Sequence, residues 1–373
     1  MNRSRAAAVL EREGLAAILA CSPENVLYVT GFDCFQHAWN RVPRAALVSA
    51  SGRGFVVLPM AEVGFAVDQR VDAGWDVYVY GAPNLILGAG LEPDEERIAA
   101  IVRARRFDDA ASAATAALRD FGVKGRVAVD GSAFVGEPGG EQLLKEIRMV
   151  KTPEEIEKLR RAAALNERGI RAALSVVGSV PGTEVEAAHR AVVSAGGGAV
   201  QHWQGSAGRR AGAYRHPQPA TAPRGSRWVY DTGIILDGYC SDLGGTVQVG
   251  APPSAEERRI YDALTAAIDR AVELARPGVR PSELYAEALA AARAHGHPEY
   301  AYSMLGHGIG VEPRDLPLIA PGPFDPVLEA GMVLNFETPI IHLGVGGYQH
   351  EVTCVVAEGG GQLLSPRRAY EVV

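Results

Sequence analysis

The segment Trp228–Val249, WVYDTGIILDGYCSDLGGTVQV, predicts a β-hairpin that carries two acidic residues. Two apolar runs flank Asp237-Gly238, a dipeptide typical of a two-residue β-hairpin turn because both residues tolerate positive φ. If these residues form the turn, Asp242 faces Gly233, and Asp231 lies two residues further along the same strand face. Such diagonal neighbours have Cα atoms roughly 7–8 Å apart. The two carboxylates can therefore converge on one metal ion or on a pair of ions.

Three further polar residues interrupt apolar or glycine-rich segments downstream. His307 lies in LGHGIG (305–310), Glu337 lies in the strand-like run Gly331–Ile341, and Glu351 lies in Tyr348–Val356. Asp231 or Asp242 taken alone would more often face solvent. Charged residues inside apolar runs, however, rarely lie without a partner, so the five residues are best considered together. The combined set has four carboxylates and one imidazole: Asp231, Asp242, His307, Glu337 and Glu351. Its four negative charges would neutralise two divalent cations, and hard oxygen ligands favour Mn²⁺, with Co²⁺, Zn²⁺ and Fe²⁺ as alternatives.

The rest of the chain predicts two domains. Up to about residue 150, a helix over residues 2–13 is followed by alternating strand-like and helical runs, which indicates an α/β domain over 1–150. Thr152, Pro153 and Glu155 then form a helix start with a capping box. Residues 151–373 repeat this start at Thr183 and Ser254 and also contain paired strands, which predicts a mixed α+β domain.

Composition excludes several functional classes. The 37 Lys and Arg residues against 44 Asp and Glu residues leave a net charge of −7, which disfavours nucleic acid and anionic membrane surfaces as partners. The four cysteines lie far apart and are predicted to be reduced thiols. No export signal and no apolar run long enough to span a membrane are evident. We therefore expect a cytoplasmic protein.

The order of the acidic residues and the histidine resembles the pita-bread metallopeptidases. The spacing of Asp231 and Asp242, the GHGIG sequence, a strand glutamate and a glutamate in the last hairpin follow the pattern of methionine aminopeptidase, aminopeptidase P, prolidase and the metal-free relative creatinase. A preceding α/β domain points to the aminopeptidase P, prolidase and creatinase branch. The resemblance implies a pita-bread catalytic domain over 151–373, a smaller creatinase-type N-terminal domain over 1–150, and a homodimer.

The resemblance also implies roles for individual residues. The five implied metal ligands are Asp231, Asp242, His307, Glu337 and Glu351. Asp242 and Glu351 would bridge two ions, and Glu337 would also carry a proton during catalysis. His216, about one strand upstream of Asp231, matches the histidine with which the family contacts its substrate. Its catalytic role would be a hydrogen bond to the substrate carbonyl or to the developing oxyanion.

A segment dense in aromatic residues, Tyr28–Arg41, follows an apolar strand near the start of the chain. It either packs under a loop or, as the resemblance implies, reaches the active site of a neighbouring subunit. In the second case Trp39 and Arg41 would contact the substrate.

Four departures from the family pattern surround the expected ligands. Arg314 stands where the family usually has a second histidine after GHGIG, and a guanidinium cannot shuttle a proton but can hold a carboxylate bidentately. Gln349 and Val352 replace an arginine and an aspartate near the last ligand, and Gly245 replaces an arginine that is usual in prolidases. Because groups around a metal's ligands can change affinity or activity roughly 10- to 100-fold, the substrate can differ from that of the relatives.

Three functions remain open at this point. The first is a dinuclear metal-dependent hydrolase of a small peptide, similar to an Xaa-Pro dipeptidase or aminopeptidase P. The second is a creatinase-like hydrolase or lyase acting on a C–N bond or another bond of a small molecule, which Arg314, Gln349 and Gly245 favour. The third is a binding module without catalysis, which the complete ligand set disfavours.

Overall fold

A computed structural model describes residues 1–33, 42–50, 52, 54–82 and 85–373. Trp39 and Arg41, the predicted substrate contacts, lie outside the described residues. The chain divides into two compact units, Met1–Arg148 and Met149–Val373. None of the helices within the described ranges is long and apolar enough to cross a membrane.

The first unit alternates helices and strands around one sheet. Its described helices are α1 (Arg3–Glu13), α2 (Pro23–Thr30), α3 (Val63–Asp68), α4 (Pro93–Ala104), α5 (Ala110–Asp120) and α6 (Gly140–Arg148). Its described strands are β1 (Ala17–Ala20), β2 (Ala45–Val48), β3 (Phe55–Pro59), β4 (Asp76–Tyr80), β5 (Arg106–Phe107) and β6 (Val127–Val129). They pair in the order β5-β4-β3-β2-β1-β6. The helix predicted over residues 2–13 and the α/β character are therefore confirmed.

The second unit mixes long helices with antiparallel strands. Its described helices are α7 (Pro153–Leu174), α8 (Gly182–Ala195), α9 (Ala255–Leu274) and α10 (Pro281–Ala294). Its described strands are β7 (Ala199–Ala207), β8 (Arg227–Leu236), β9 (Tyr239–Gln248), β10 (Gly306–Gly308), β11 (Asp315–Leu318), β12 (Val333–Glu337), β13 (Ile340–His342), β14 (Gly346–Tyr348), β15 (Glu351–Val355) and β16 (Gln362–Leu363). They form sheets β7-β8-β9, β11-β10-β12-β15-β16 and β13-β14.

Two of the three predicted helix starts are confirmed. The Thr152 hydroxyl accepts a hydrogen bond from the Glu155 amide (3.3 Å), and Ser254 forms the same capping box at α9. The start predicted at Thr183 is wrong. Pro181 occupies the N-cap of α8, and its carbonyl accepts hydrogen bonds from the amides of residues 184 and 185, so Thr183 already lies inside the first turn.

The hairpin β8–β9 has the predicted register. Gly233 pairs with Asp242, and Asp237 and Gly238 form the turn with φ values of 50° and 76°. All ten residues of β9 are buried. The Thr246 hydroxyl both donates to the Gln349 carbonyl (2.9 Å) and accepts from its amide (2.8 Å). These bonds connect β9 to the segment that enters β15, so the hairpin lies against the five-stranded sheet.

Helices α9 and α10 cover the other side of the five-stranded sheet. The apolar core between them is formed by residues such as Leu264, Ile268, Leu284, Phe336 and Val352. The strand predicted over Gly331–Ile341 is divided into β12 and β13. The division falls at Thr338 and Pro339, where the proline lacks the amide hydrogen that a continuous ladder needs.

Candidate metal centre

The predicted ligands lie on five strands of the second unit. They are Asp231 on β8, Asp242 on β9, His307 on β10, Glu337 on β12 and Glu351 on β15. Glu337 pairs directly with Glu351 across β12 and β15. His307 Nε2 lies 4.0 Å from Asp242 Oδ2. The side chain of Asp231 is half-buried and the other four are buried.

The carboxylates repel one another in this buried space. Burial, together with the charges of Asp231 and Asp242, raises the pKa of Glu337 to about 7. Burial and the other three carboxylates raise the pKa of Glu351 well above its ordinary range. Burial also raises the pKa of Asp231, whereas the neighbouring imidazoles lower that of Asp242 against the effect of its burial. Positive charge among these groups would allow all four to ionise.

Two of the buried carboxylate oxygens, Asp242 Oδ1 and Glu351 Oε2, accept no hydrogen bond from the described residues. Asp242 Oδ1 has an ion-pair contact with His202 Nε2 (3.3 Å). The second oxygen of Glu351 accepts a hydrogen bond from Asn335 Nδ2 (2.5 Å), and Asn335 Oδ1 accepts one from the Thr353 hydroxyl (3.0 Å). An unsatisfied buried carboxylate is costly. A set of hard oxygen donors with open lone pairs fits divalent cations.

His202 joins this group although the sequence did not single it out. Its Nε2 lies 3.0 Å from Asp231 Oδ1 and 3.3 Å from Asp242 Oδ1. One ligand atom from each of these three residues lies within 4.8 Å of the other two. Burial opposes protonation of His202, but the two carboxylates raise its pKa to about 10. Strand β7, which carries His202, was not predicted.

A cavity of about 530 Å³ opens over the carboxylates. Its lining residues are Gln201, His202, Gln204, Tyr214, Asp231, Asp242, Tyr302, Glu312, Pro313, Arg314 and Glu337. Arg314 is exposed in this wall and forms no hydrogen bond or ion pair with any described residue. Its guanidinium is therefore available to a ligand that enters the cavity.

The structure does not bring His216 to this cavity. His216 lies in the loop after β7, its side chain is exposed, and its carbonyl accepts a hydrogen bond from Arg210 Nη2 (2.7 Å). Tyr214, two residues earlier, lines the cavity instead. The roles assigned to His216 and, outside the described residues, to Trp39 and Arg41 stay predictions.

The other departures from the family pattern have structural explanations. A Cβ at Gly245 would clash with the buried phenol of Tyr230. Val352 pairs with Phe336 and lies in the apolar core. Gln349 is buried, with its backbone bonded to Thr246. None of these three positions supplies a charge to the cavity, which leaves Arg314 as the guanidinium among the described residues that line it.

Comparisons with known proteins agree with this architecture. The model of metallopeptidase family M24 matches residues 157–358, and that of the creatinase/prolidase N-terminal domain matches residues 3–162. The Xaa-Pro dipeptidase of Pyrococcus furiosus is 30% identical over 241 residues, which cover 60% of this chain and 65% of that relative, just under two thirds of its length. The putative dipeptidase YkvY of Bacillus subtilis is 27% identical over 378 residues, 98% of each chain.

A solved structure matches the whole fold. The crystal structure of a dipeptidase from Pyrococcus horikoshii OT3 aligns with a TM-score of 0.75 and 21% identity, and the alignment covers 100% of both chains. At this level of identity the likeness concerns the fold alone.

Proposed function

Because the chain belongs to metallopeptidase family M24, we propose that it is a dinuclear metal-dependent hydrolase that cleaves the amide bond of Xaa-Pro dipeptides or short Xaa-Pro peptides. The family, the pita-bread fold with its creatinase-type N-terminal domain, and the metallohydrolase class were predicted from the sequence and are confirmed. The substrate, the number of metal ions and their identity belong to the proposal.

The observation that carries the proposal is the convergence of four acids in which two buried oxygens, Asp242 Oδ1 and Glu351 Oε2, accept no hydrogen bond from the described residues. Asp231, Asp242, His307, Glu337 and Glu351 would hold two divalent ions, for which Mn²⁺ is our first choice and Co²⁺, Zn²⁺ and Fe²⁺ are alternatives. Bound ions of this kind supply an activated water and polarise the scissile carbonyl.

The protein residues around the cavity supply the remaining chemistry. Glu337 lines the cavity, so its carboxylate can take a proton from the attacking water and return it to the leaving nitrogen. Arg314 can bind the carboxylate of a dipeptide through two parallel hydrogen bonds, because its guanidinium has no other partner among the described residues. Together they favour a small substrate that ends in a carboxylate.

The same observation on Arg314 favours a second function. A creatinase-like hydrolase or lyase that acts on a carboxylate-bearing small molecule would also use this guanidinium. The two candidates differ in the bond that is cleaved, so substrate turnover distinguishes them.

The proposal includes features beyond the metal centre. We propose residues 1–150 as the creatinase-like N-terminal domain and 151–373 as the catalytic domain. We also propose a cytoplasmic homodimer in which His216, Trp39 and Arg41 contact the substrate. The acidic net charge of −7 supports the absence of a nucleic-acid partner.

The test is the turnover of Xaa-Pro dipeptides and Xaa-Pro-Yaa tripeptides by Mn²⁺-loaded protein, with a chelated sample as control. We expect metal-dependent release of proline or of the N-terminal residue, and loss of both metal binding and turnover in Asp231→Ala. Failure to cleave any peptide by protein that holds two Mn²⁺ ions would favour the small-molecule function. Protein that binds no metal would favour the binding module.

A further inference from the structure

We propose that His202 is an additional ligand of the metal centre, on the ion that Asp231 holds. This inference rests on the proposed function, because it requires that divalent ions bind among the carboxylates. The ligand atoms of His202, Asp231 and Asp242 already lie within 4.8 Å of one another, which is compatible with a single ion between them.

The two imidazoles of the site approach opposite oxygens of one carboxylate. His202 Nε2 lies 3.3 Å from Asp242 Oδ1, and His307 Nε2 lies 4.0 Å from Asp242 Oδ2. If two ions bind here, His202 and His307 would hold different ions, because they approach opposite oxygens of Asp242. Each ion would then have one imidazole ligand.

The backbone of β7 is arranged to present His202 to this face. The register between β7 and β8 shifts between Val200 and His202, so that one extra residue, Gln201, is accommodated in β7. This β-bulge pairs His202 with Gly233, which is also the partner of Asp242 on the other side of β8. Bulges near active sites commonly re-aim a side chain in this way.

A glycine provides the space that the His202 ring occupies. A Cβ at Gly233 would clash with the imidazole, because the ring lies directly over this position of β8. Gly233 is in an ordinary extended conformation, so its backbone does not itself require glycine. The His202 imidazole therefore explains why position 233 has no side chain. The space left by this glycine lets His202 reach both aspartates across the central strand β8.

Metal binding by the full-length protein tests the assignment without any use of activity. Protein stripped with a chelator is titrated with Mn²⁺ by calorimetry, as wild type, His202→Ala and the control His295→Ala, whose side chain is exposed at the end of α10. We expect two Mn²⁺ per chain in wild type and in the control. In His202→Ala, one ion should retain its affinity and the other should bind at least about 10-fold more weakly, the lower end of the effect of removing a supporting group.

X-ray absorption of the Co²⁺-loaded wild type keeps the inference testable even if His202→Ala fails to fold. We expect scattering from two imidazoles for each pair of ions, and scattering from only one would overturn the inference. Unchanged affinity of both ions in folded His202→Ala would also overturn it while the proposed function stands. A wild-type protein that binds no Mn²⁺ would instead refute the proposed function, and the role of His202 with it.

Discussion

Gly244 and Glu351 meet where strand β9 passes strand β15. A Cβ on Gly244 would lie 2.7 Å from Glu351 Oε2 and 2.5 Å from Gln349 Cγ. The backbone of Gly244 is extended and has no positive φ. The glycine is therefore required by the approach of the glutamate, which reaches the hairpin carboxylates only because β9 has no side chain here.

Replacing Gly244 with alanine should displace Glu351 from the candidate metal centre. We expect Mn²⁺ affinity to fall by about 10- to 100-fold, the range typical for disturbed positioning of a ligand, and turnover to fall with it. Gly359→Ala is the matched control, because a Cβ at that position meets no atom within 4 Å. Equal Mn²⁺ affinity of the two variants in calorimetry would show that Glu351 does not depend on this contact.

The hairpin was predictable from sequence because its determinants are local. Asp237 and Gly238 specify the turn, the turn specifies the register, and the register places Asp231 and Asp242 on one face. The candidate ligands Glu337 and Glu351 could be proposed because charge inside an apolar strand requires compensation, and His307 because it is the one imidazole in a glycine-rich segment. In each case the prediction depends on a few residues that are adjacent in the sequence.

His202 could not be identified in the same way. Its orientation depends on the bulge after Val200, and a bulge reverses the alternation from which inward and outward positions are deduced. The next residue, Trp203, is buried and packs on His189, with ring centroids 4.8 Å apart. The sequence does weakly indicate the strand itself, since polar and apolar residues partly alternate along β7 (Ala199–Ala207).

Asn335 should tune the metal centre through Glu351. Its amide donates to Glu351 Oε1 (2.5 Å), and its carbonyl oxygen is held by the Thr353 hydroxyl (3.0 Å). Asn335→Ala would leave Glu351 without this hydrogen bond, and we expect roughly 10-fold weaker Mn²⁺ binding. Thr353→Ser keeps a hydroxyl and serves as the control. Identical Mn²⁺ titrations of wild type and Asn335→Ala would contradict this role.

Arg314 should select substrates that carry a free carboxylate. A hydrogen-bonded ion pair of this kind contributes about 1.5–3 kcal/mol, so Arg314→Ala should raise KM for an Xaa-Pro dipeptide roughly 10- to 100-fold. The corresponding Xaa-Pro amide, which lacks the carboxylate, should show little change between the two proteins. Arg314→Lys should recover part of the loss, because lysine retains the charge without the bidentate geometry. A KM that rises equally for dipeptide and amide would place Arg314 outside substrate recognition.

His189 should make the fold sensitive to acid. The imidazole is fully buried, its Nε2 lies 2.9 Å from Asn166 Oδ1, and burial followed by the nearby Arg190 charge lowers its pKa to about 4. Because the folded pKa lies below the unfolded value of about 6.5, the neutral imidazole is favoured in the fold. The contribution of neutral His189 to the free energy of unfolding is complete above about pH 6.5, and it is lost as the pH falls from there towards about 4.

Urea unfolding of chelated protein at pH 7 and pH 5 isolates this contribution. Protonation of His189 in the unfolded chain should reduce the free energy of unfolding of the wild type by about 2 kcal/mol between these pH values. His189→Gln cannot titrate but can still donate to Asn166, so it should lack this component and retain only the losses from other groups. If both proteins lose the same free energy of unfolding between pH 7 and pH 5, His189 is not the source of the acid sensitivity.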